Sequence, residues 1–502
     1  MLTVDGELAV EDVVAVARDG DAVELGDDAR DRMAESERVV ADVTESNDES
    51  VYGVNTGFGN LKDIGIDRDD LERQQANLLR SHHAATGDPM DRELTRAILL
   101  VRANALAVGV SGVRPALVDR LCTLLNEDVL PVLPESGSAD NACELANVGL
   151  VLMGEGEATV DGEREATDDH KRVEGEAALS AAGLDPYAFG PKEGLALISG
   201  TSVMTAGAAL AIADLRRLAT AADLAGAWTF HLVGDEPGAF DDRIFDVRDV
   251  DGHRTSAANV RELTGTTAPD RAEMTQDPLS IRTIPQVNGS LREHLATAAD
   301  AVETELASAT DNPLVFPDGT ARSVGHFNGQ TVAGVVDLLA LTTRKVGVAS
   351  ERRSDRLLAD AANPHLATDP GLETGLARAQ YAAASLVTEA QSLDTASDRS
   401  FVASTGQEDV HAAGNVASAN LRETADLIAR VVAVELLCCA RATAQSGTDL
   451  PRPLDVAYSA VEERIGLETG DVQWAGKIEC LAAATRSGAI VDAVRADGVA
   501  LD

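Results

Sequence analysis

Seven short polar clusters interrupt an otherwise helical chain, and they hold most of the side chains able to move a proton or grip a charged ligand. In order they are Val51-Tyr52-Gly53-Val54-Asn55-Thr56-Gly57-Phe58-Gly59, Arg80-Ser81-His82-His83, Ile198-Ser199-Gly200-Thr201-Ser202, Gln276-Asp277-Pro278-Leu279-Ser280-Ile281-Arg282, Thr310-Asp311-Asn312-Pro313-Leu314-Val315-Phe316, Gly325-His326-Phe327-Asn328-Gly329-Gln330 and Gln407-Glu408-Asp409. Three glycines within seven residues after Tyr52 permit positive φ and close backbone approach. Taken singly, each cluster has an ordinary structural account. Asn312-Pro313 reads as a turn, Glu408 as a solvated charge or a partner for a helix start, and His82 as a hydrogen-bonded core histidine.

The elements that must position these clusters are long helices. Leu421, Ala425, Ile428, Val432, Leu436 and Cys439 fall four, three, four, four and three residues apart, an apolar face lasting more than five turns. A second such face follows Gly329, with Val332, Val336, Leu339 and Thr343, and the run closes before Pro364. Strand signals are short, as at Ala158-Thr159-Val160 followed by an Asp161-Gly162 hairpin signal. Aromatic residues are only 3% of the chain, so closely spaced helices must be packed with Ala, Leu and Val. We expect a mostly α protein, with a loop-rich domain over residues 1–200 and a long-helix bundle over 201–502. The less periodic stretch from Val129 to Gly200 is expected to carry loops. Apolar faces this extensive also suggest self-association with closed symmetry.

Charge narrows the function classes. Of 502 residues 84 are acidic and 42 basic, a formal net charge of −42, and only five of the basic residues are Lys. Such a surface repels nucleic acid and anionic membranes. The acidic residues are spread along the chain rather than gathered in a tail, which points to adaptation to molar salt. At about 1 M salt the Debye length falls to roughly 3 Å and self-repulsion is screened. No apolar run approaches the roughly 20 residues that span a bilayer, and the N-terminus lacks the basic and apolar regions of a signal peptide, so a soluble, cytoplasmic protein is expected. The five cysteines show no paired metal-ligand spacing and fit a reduced compartment, with Cys438 and Cys439 as buried core residues. No metal site is expected.

Together, the order and content of the clusters resemble the histidine and phenylalanine ammonia-lyase family from Tyr52 to beyond Glu408. The resemblance includes YGVNTGFG, Arg102-Ala103-Asn104-Ala105-Leu106-Ala107 with Ser111-Gly112-Val113-Arg114-Pro115, the QDP-x-S-x-R segment, TDNPLVF, Ser350-Glu351-Arg352-Arg353 and QED. It implies a mostly helical homotetramer of ammonia-lyase/fumarase-like architecture, with active sites assembled from several subunits. It also implies elimination of ammonia from an α-amino acid without a metal or diffusible cofactor. Family members build an electrophilic methylideneimidazolone from an internal Ala-Ser-Gly. By position, Tyr52 would be the general base, which at neutral pH requires a nearby positive charge or specific hydrogen bonding because a free phenol has a pKa near 10. Arg282 would clamp the substrate carboxylate through its fork, Phe327 would wall the pocket, and Gln276 and the residue at Ser199 would supply polar contacts. His82 and Glu408 favour histidine over phenylalanine, since an imidazole has polar edges that need partners.

The chain departs from the family in three places. The segment Pro134-Glu135-Ser136-Gly137-Ser138-Ala139-Asp140-Asn141-Ala142-Cys143-Glu144-Leu145-Ala146-Asn147 is shorter than the electrophile loop it replaces. One register puts Ser138-Ala139-Asp140 under the triad and the other Asn141-Ala142-Cys143. Neither contains Ala-Ser-Gly, and a displaced Glu135-Ser136-Gly137 cyclisation is the remaining alternative. Ser199 stands where the family has Asn, and Leu279 where it has Tyr. We therefore expect the methylideneimidazolone not to form. Three readings follow: a histidine ammonia-lyase homologue converting L-histidine to urocanate and ammonia, an inactive relative that binds an amino acid or partners an intact paralogue, and a lyase acting without the electrophile. For the last, Ser138, Asp140 and Glu144 are the local candidates, against an ordinary polar-loop account.

Overall fold

A computed structural model describes residues 1–46, 49–138, 142–160, 172–265, 275–359, 363–467 and 470–502. The chain forms two compact units. The first comprises residues 1–210, 299–336 and 395–419, and the second 211–298, 337–394 and 420–502. The first thus ends its leading segment near the expected position of 200, while two later segments that sequence assigned to the bundle belong with it.

In the first unit the central element is the Arg92–Ala107 helix, capped by the Asp91 side chain, which accepts from the Leu94 N–H at 2.7 Å. Every residue from Leu94 to Ala107 is buried. A helix enclosed on all sides must find partners for its polar members. Arg96 donates to the Val16 and Leu125 carbonyls, and Asn104 bonds both the Gly6 N–H and the Leu306 carbonyl. The Ala142–Leu152 helix is likewise buried from Glu144 onward, a correction to the expectation of loops between Val129 and Gly200. Its Leu145, Val148, Leu150, Val151 and Leu152 are apolar on every side, so no amphipathic period marks it.

Strands are few and short. Thr86–Pro89 pairs antiparallel with Pro134–Ser136, and Glu157–Val160 lies antiparallel between Val129–Pro131 and Arg172–Glu174. The Ala158–Val160 expectation is therefore met, while the Asp161-Gly162 turn lies outside the described residues.

The second unit is a bundle of long helices. The residues read as one face, Leu421 to Cys439, are all buried on the Gly414–Ser446 helix, as are Leu339 and Thr343 on the Gln330–Leu357 helix, whose Val332 and Val336 are buried in the first unit. Close approach replaces aromatic bulk. A Cβ on Gly347 would come within 2.4 Å of Ile428 Cδ1, and one on Gly226 within 2.9 Å of Ile284 Cδ1. Cys438 and Cys439 are fully buried, as expected. The stretch Glu193–Val233 is long and apolar enough to cross a bilayer, which the sequence reading missed, yet 94% of its apolar window is buried inside the protein.

Candidate active site

Most of the candidate residues sit in the first unit. The loop after Tyr52 turns on glycine: Gly53 and Gly59 take φ of 70° and 54°, and a Cβ on Gly57 would lie 2.5 Å from the Leu61 carbonyl oxygen. A Cβ on Gly53 would strike Leu195, and one on Gly59 would strike Ser404 and reach Glu408. These close approaches bring the Tyr52 loop against both the Glu193–Ile198 helix and the loop carrying Glu408. Asn60 completes the junction by donating to the Thr405 hydroxyl, 345 positions away in sequence.

Tyr52 and Glu408 are electrostatic neighbours. Burial raises the Tyr52 phenol above its ordinary pKa, the Gly59 N–H donating to its oxygen at 3.1 Å opposes this, and Glu408 raises it further. The phenol is thus held protonated at neutral pH, and among the described residues only that N–H pulls toward the phenolate. The Glu408 loop is conformationally strained, since Ser404 and Thr405 adopt φ of 50° and 53° without being glycine. Sequence reading missed both, because nothing in their types signals a left-handed backbone.

His82 closes the Leu71–His82 helix, half-buried, with Nδ1 2.9 Å from the Leu78 carbonyl and 3.1 Å from the Ser81 hydroxyl. The same helix ties the site together: Gln74 donates to the Thr56 carbonyl, and Gln75 accepts from the Leu195 N–H. Ser199 follows the Glu193–Ile198 helix, and its carbonyl accepts from Arg102 Nη1 at 2.7 Å. Phe327 is exposed on the short turn His326–Asn328, whose Gly329 packs against Thr201 and Met204. Gln276 and Arg282 lie in the second unit, where Arg282 Nη1 donates to Gln276 Oε1 at 2.7 Å. Leu279 beside them is exposed.

Between Pro134 and Asn147 the sequence contains no Ala-Ser-Gly. Ala139 and Asp140 lie outside the described residues, as does Asn141. Ala142 and Cys143 belong to the first turn of the Ala142–Leu152 helix, and Glu135-Ser136 to a strand paired with Thr86–Pro89. Ser138 is in the connecting stretch. None of these supplies the Ala-Ser-Gly that ring closure consumes. Glu144 is buried and accepts from Asn415 Nδ2 at 3.0 Å, so it is tied into the fold.

Sequence reading also missed a buried ionic cluster beneath Ser199. Lys192 Nζ donates to Asp311 Oδ2 at 2.6 Å, both residues are fully buried, and Ser111 donates to the other Asp311 oxygen at 2.9 Å. Lys192 takes a φ of 67° to reach its place. A Lys flanking an apolar helix in so lysine-poor a chain was the available signal.

Residues 8–463 match the family model described as aromatic amino acid lyase. The chain belongs to the aromatic amino acid lyase family. Among the relatives of this chain, a histidine ammonia-lyase from Symbiobacterium thermophilum is 39% identical over 97% of each chain. A probable histidine ammonia-lyase from Halobacterium salinarum is 40% identical over 98% of this chain and 97% of its own. Solved structures of the same fold include a tyrosine aminomutase from Streptomyces globisporus, with a TM-score of 0.94 and 31% identity over the whole of both chains. The histidine ammonia-lyase from Trypanosoma cruzi superposes with a TM-score of 0.90 at 30% identity, covering 99% of this chain and 95% of that one.

Proposed function

We propose that this chain is a histidine ammonia-lyase-type protein whose site recognises L-histidine, with carbon-nitrogen elimination to urocanate and ammonia as the reaction of its line. The observation that carries the reading is the meeting of Tyr52 with Glu408 across the Gly59 turn. It sets a phenol beside a carboxylate able to accept from an imidazole N–H. His82 offers a second polar edge, and by the family resemblance Arg282 is the residue whose fork would suit a substrate carboxylate. Phe327 supplies an apolar wall. The exposure of Phe327, Phe401, Val402 and Val410 on the loops around Glu408 supports a homotetramer in which neighbouring copies complete each site.

A second reading rests on a specific observation, the absence of Ala-Ser-Gly between Pro134 and Asn147. On that reading the pocket binds histidine without converting it, or serves an intact paralogue as a partner subunit. The raised pKa of Tyr52 supports it, since less of the phenol is present as the phenolate that a base requires. The two readings separate in one experiment. The peptide spanning Glu135 to Cys143 is weighed from protein purified in molar potassium chloride, and the same protein is assayed for urocanate. Loss of two waters with product formation establishes the lyase. An unmodified peptide, no urocanate and a histidine-dependent rise in thermal midpoint establish the binding protein.

A further inference from the structure

We propose that the buried Arg102–Lys192–Asp311 cluster of the first unit binds one small inorganic anion of the halide class, held on the Nε and Nη2 edge of the Arg102 guanidinium. Arg102 is fully buried, and only its Nη1 is engaged, by the Ser199 carbonyl. Nε and Nη2 are buried without an acceptor. Those two atoms share one edge of the guanidinium, the edge whose parallel N–H bonds converge on a single acceptor.

Charge leads to the same conclusion. Two cations, Arg102 and Lys192, share the single carboxylate of Asp311, and all three residues have no exposed surface. Burial lowers the Arg102 pKa to about 10, with Asp311 opposing, so the guanidinium keeps its charge at neutral pH. An uncompensated buried charge is costly. Water can satisfy the two N–H groups but leaves the net positive charge, whereas a halide satisfies both. Arg102 has no exposed surface, which disfavours anions that carry an organic body. A further donor stands close by in the chain: Ser202 is 1% exposed, its hydroxyl oxygen lacks a partner, and it begins the 32-residue helix Ser202–Val233, whose N-terminus favours negative charge. The inference holds whether or not the protein turns over histidine.

The test is thermal unfolding of the full-length protein at constant potassium concentration and ionic strength, with glutamate progressively replaced by chloride or bromide. A saturating rise in midpoint with halide is expected. Lys192→Met leaves one cation, Arg102, for the one carboxylate of Asp311; it lowers the midpoint in both salts by removing Asp311's bonded partner, and it should abolish the difference between halide and glutamate. Crystals grown in bromide should show an anomalous peak within hydrogen-bond reach of Arg102 Nε and Nη2. Equal stability in glutamate and halide overturns the proposal. So does a halide effect that survives Lys192→Met, or a peak without anomalous signal at Arg102, which would identify a water.

Discussion

Two fully buried arginines, one in each unit, are treated in opposite ways. In the second unit Arg353 Nε and Nη2 both bond the carboxylate of Glu435, at 2.6 and 2.9 Å, and Thr229 donates to the same carboxylate at 2.7 Å. Charge is balanced there, and the fork is filled. In the first unit Arg102 presents the same two atoms to no protein acceptor, while Lys192 takes the nearby carboxylate. This buried pair of the bundle is matched charge for charge. In the first unit Arg102 and Lys192 have between them the one carboxylate of Asp311, and Arg102 bonds the Ser199 carbonyl. The fork of Arg353 is filled by protein, whereas that of Arg102 is left for the anion proposed above.

The largest expected effect comes from breaking the balanced pair. Glu435→Gln strands Arg353 in the bundle and should cost about 3–5 kcal/mol, read as a lower denaturant midpoint in molar potassium chloride, with no dependence on whether the anion is chloride or glutamate. Asp311→Asn strands two cations, and its cost should be of similar order in glutamate but visibly smaller in chloride. An identical loss in both salts would remove the distinction between the two arginines.

Next comes Tyr52→Phe. If the phenol takes part in elimination, urocanate formation should fall roughly 10²- to 10⁴-fold. If the pocket only binds, histidine-induced stabilisation should change by no more than about 1 kcal/mol, the worth of one hydrogen bond. The smallest effect is the pH dependence of the cluster. Burial lowers the Lys192 pKa below its usual 10.5, with Asp311 opposing. The folded protein therefore binds fewer protons than the unfolded chain between the lowered value and 10.5, and stability rises with pH across that window. The slope attributable to Lys192 is at most about 1.4 kcal/mol per pH unit, and it should vanish in Lys192→Met when the two unfolding profiles are subtracted.

Much of the bundle was legible because burial there follows helical period. Every residue from Leu421 to Cys439 that the period marked is inside. The helix Ala142–Leu152 was not legible, since a segment buried on all sides has no polar face to set a phase. Nor did periodicity reveal that residues 299–336 and 395–419 belong with the first unit, because it carries no information about which helix packs on which. At the site, the residue types were readable, but the meeting of the Tyr52 and Glu408 loops depends on Gly59 admitting Ser404, a non-local approach. The Arg102 fork was hidden for a related reason: an arginine among apolar residues reads the same whether its head group reaches solvent or is sealed in.

The Glu193–Val233 stretch has a consequence for how the protein fails. Its apolar window is shielded only by the folded protein, while the surface charge of −42 disfavours compactness as salt is withdrawn. Opening of the fold at low salt would expose this apolar segment to water, where adhesion to other chains competes with refolding. Loss of structure at low salt should therefore be a one-way process, governed by an opening rate and not by an equilibrium constant, and restoring the salt should not restore the protein.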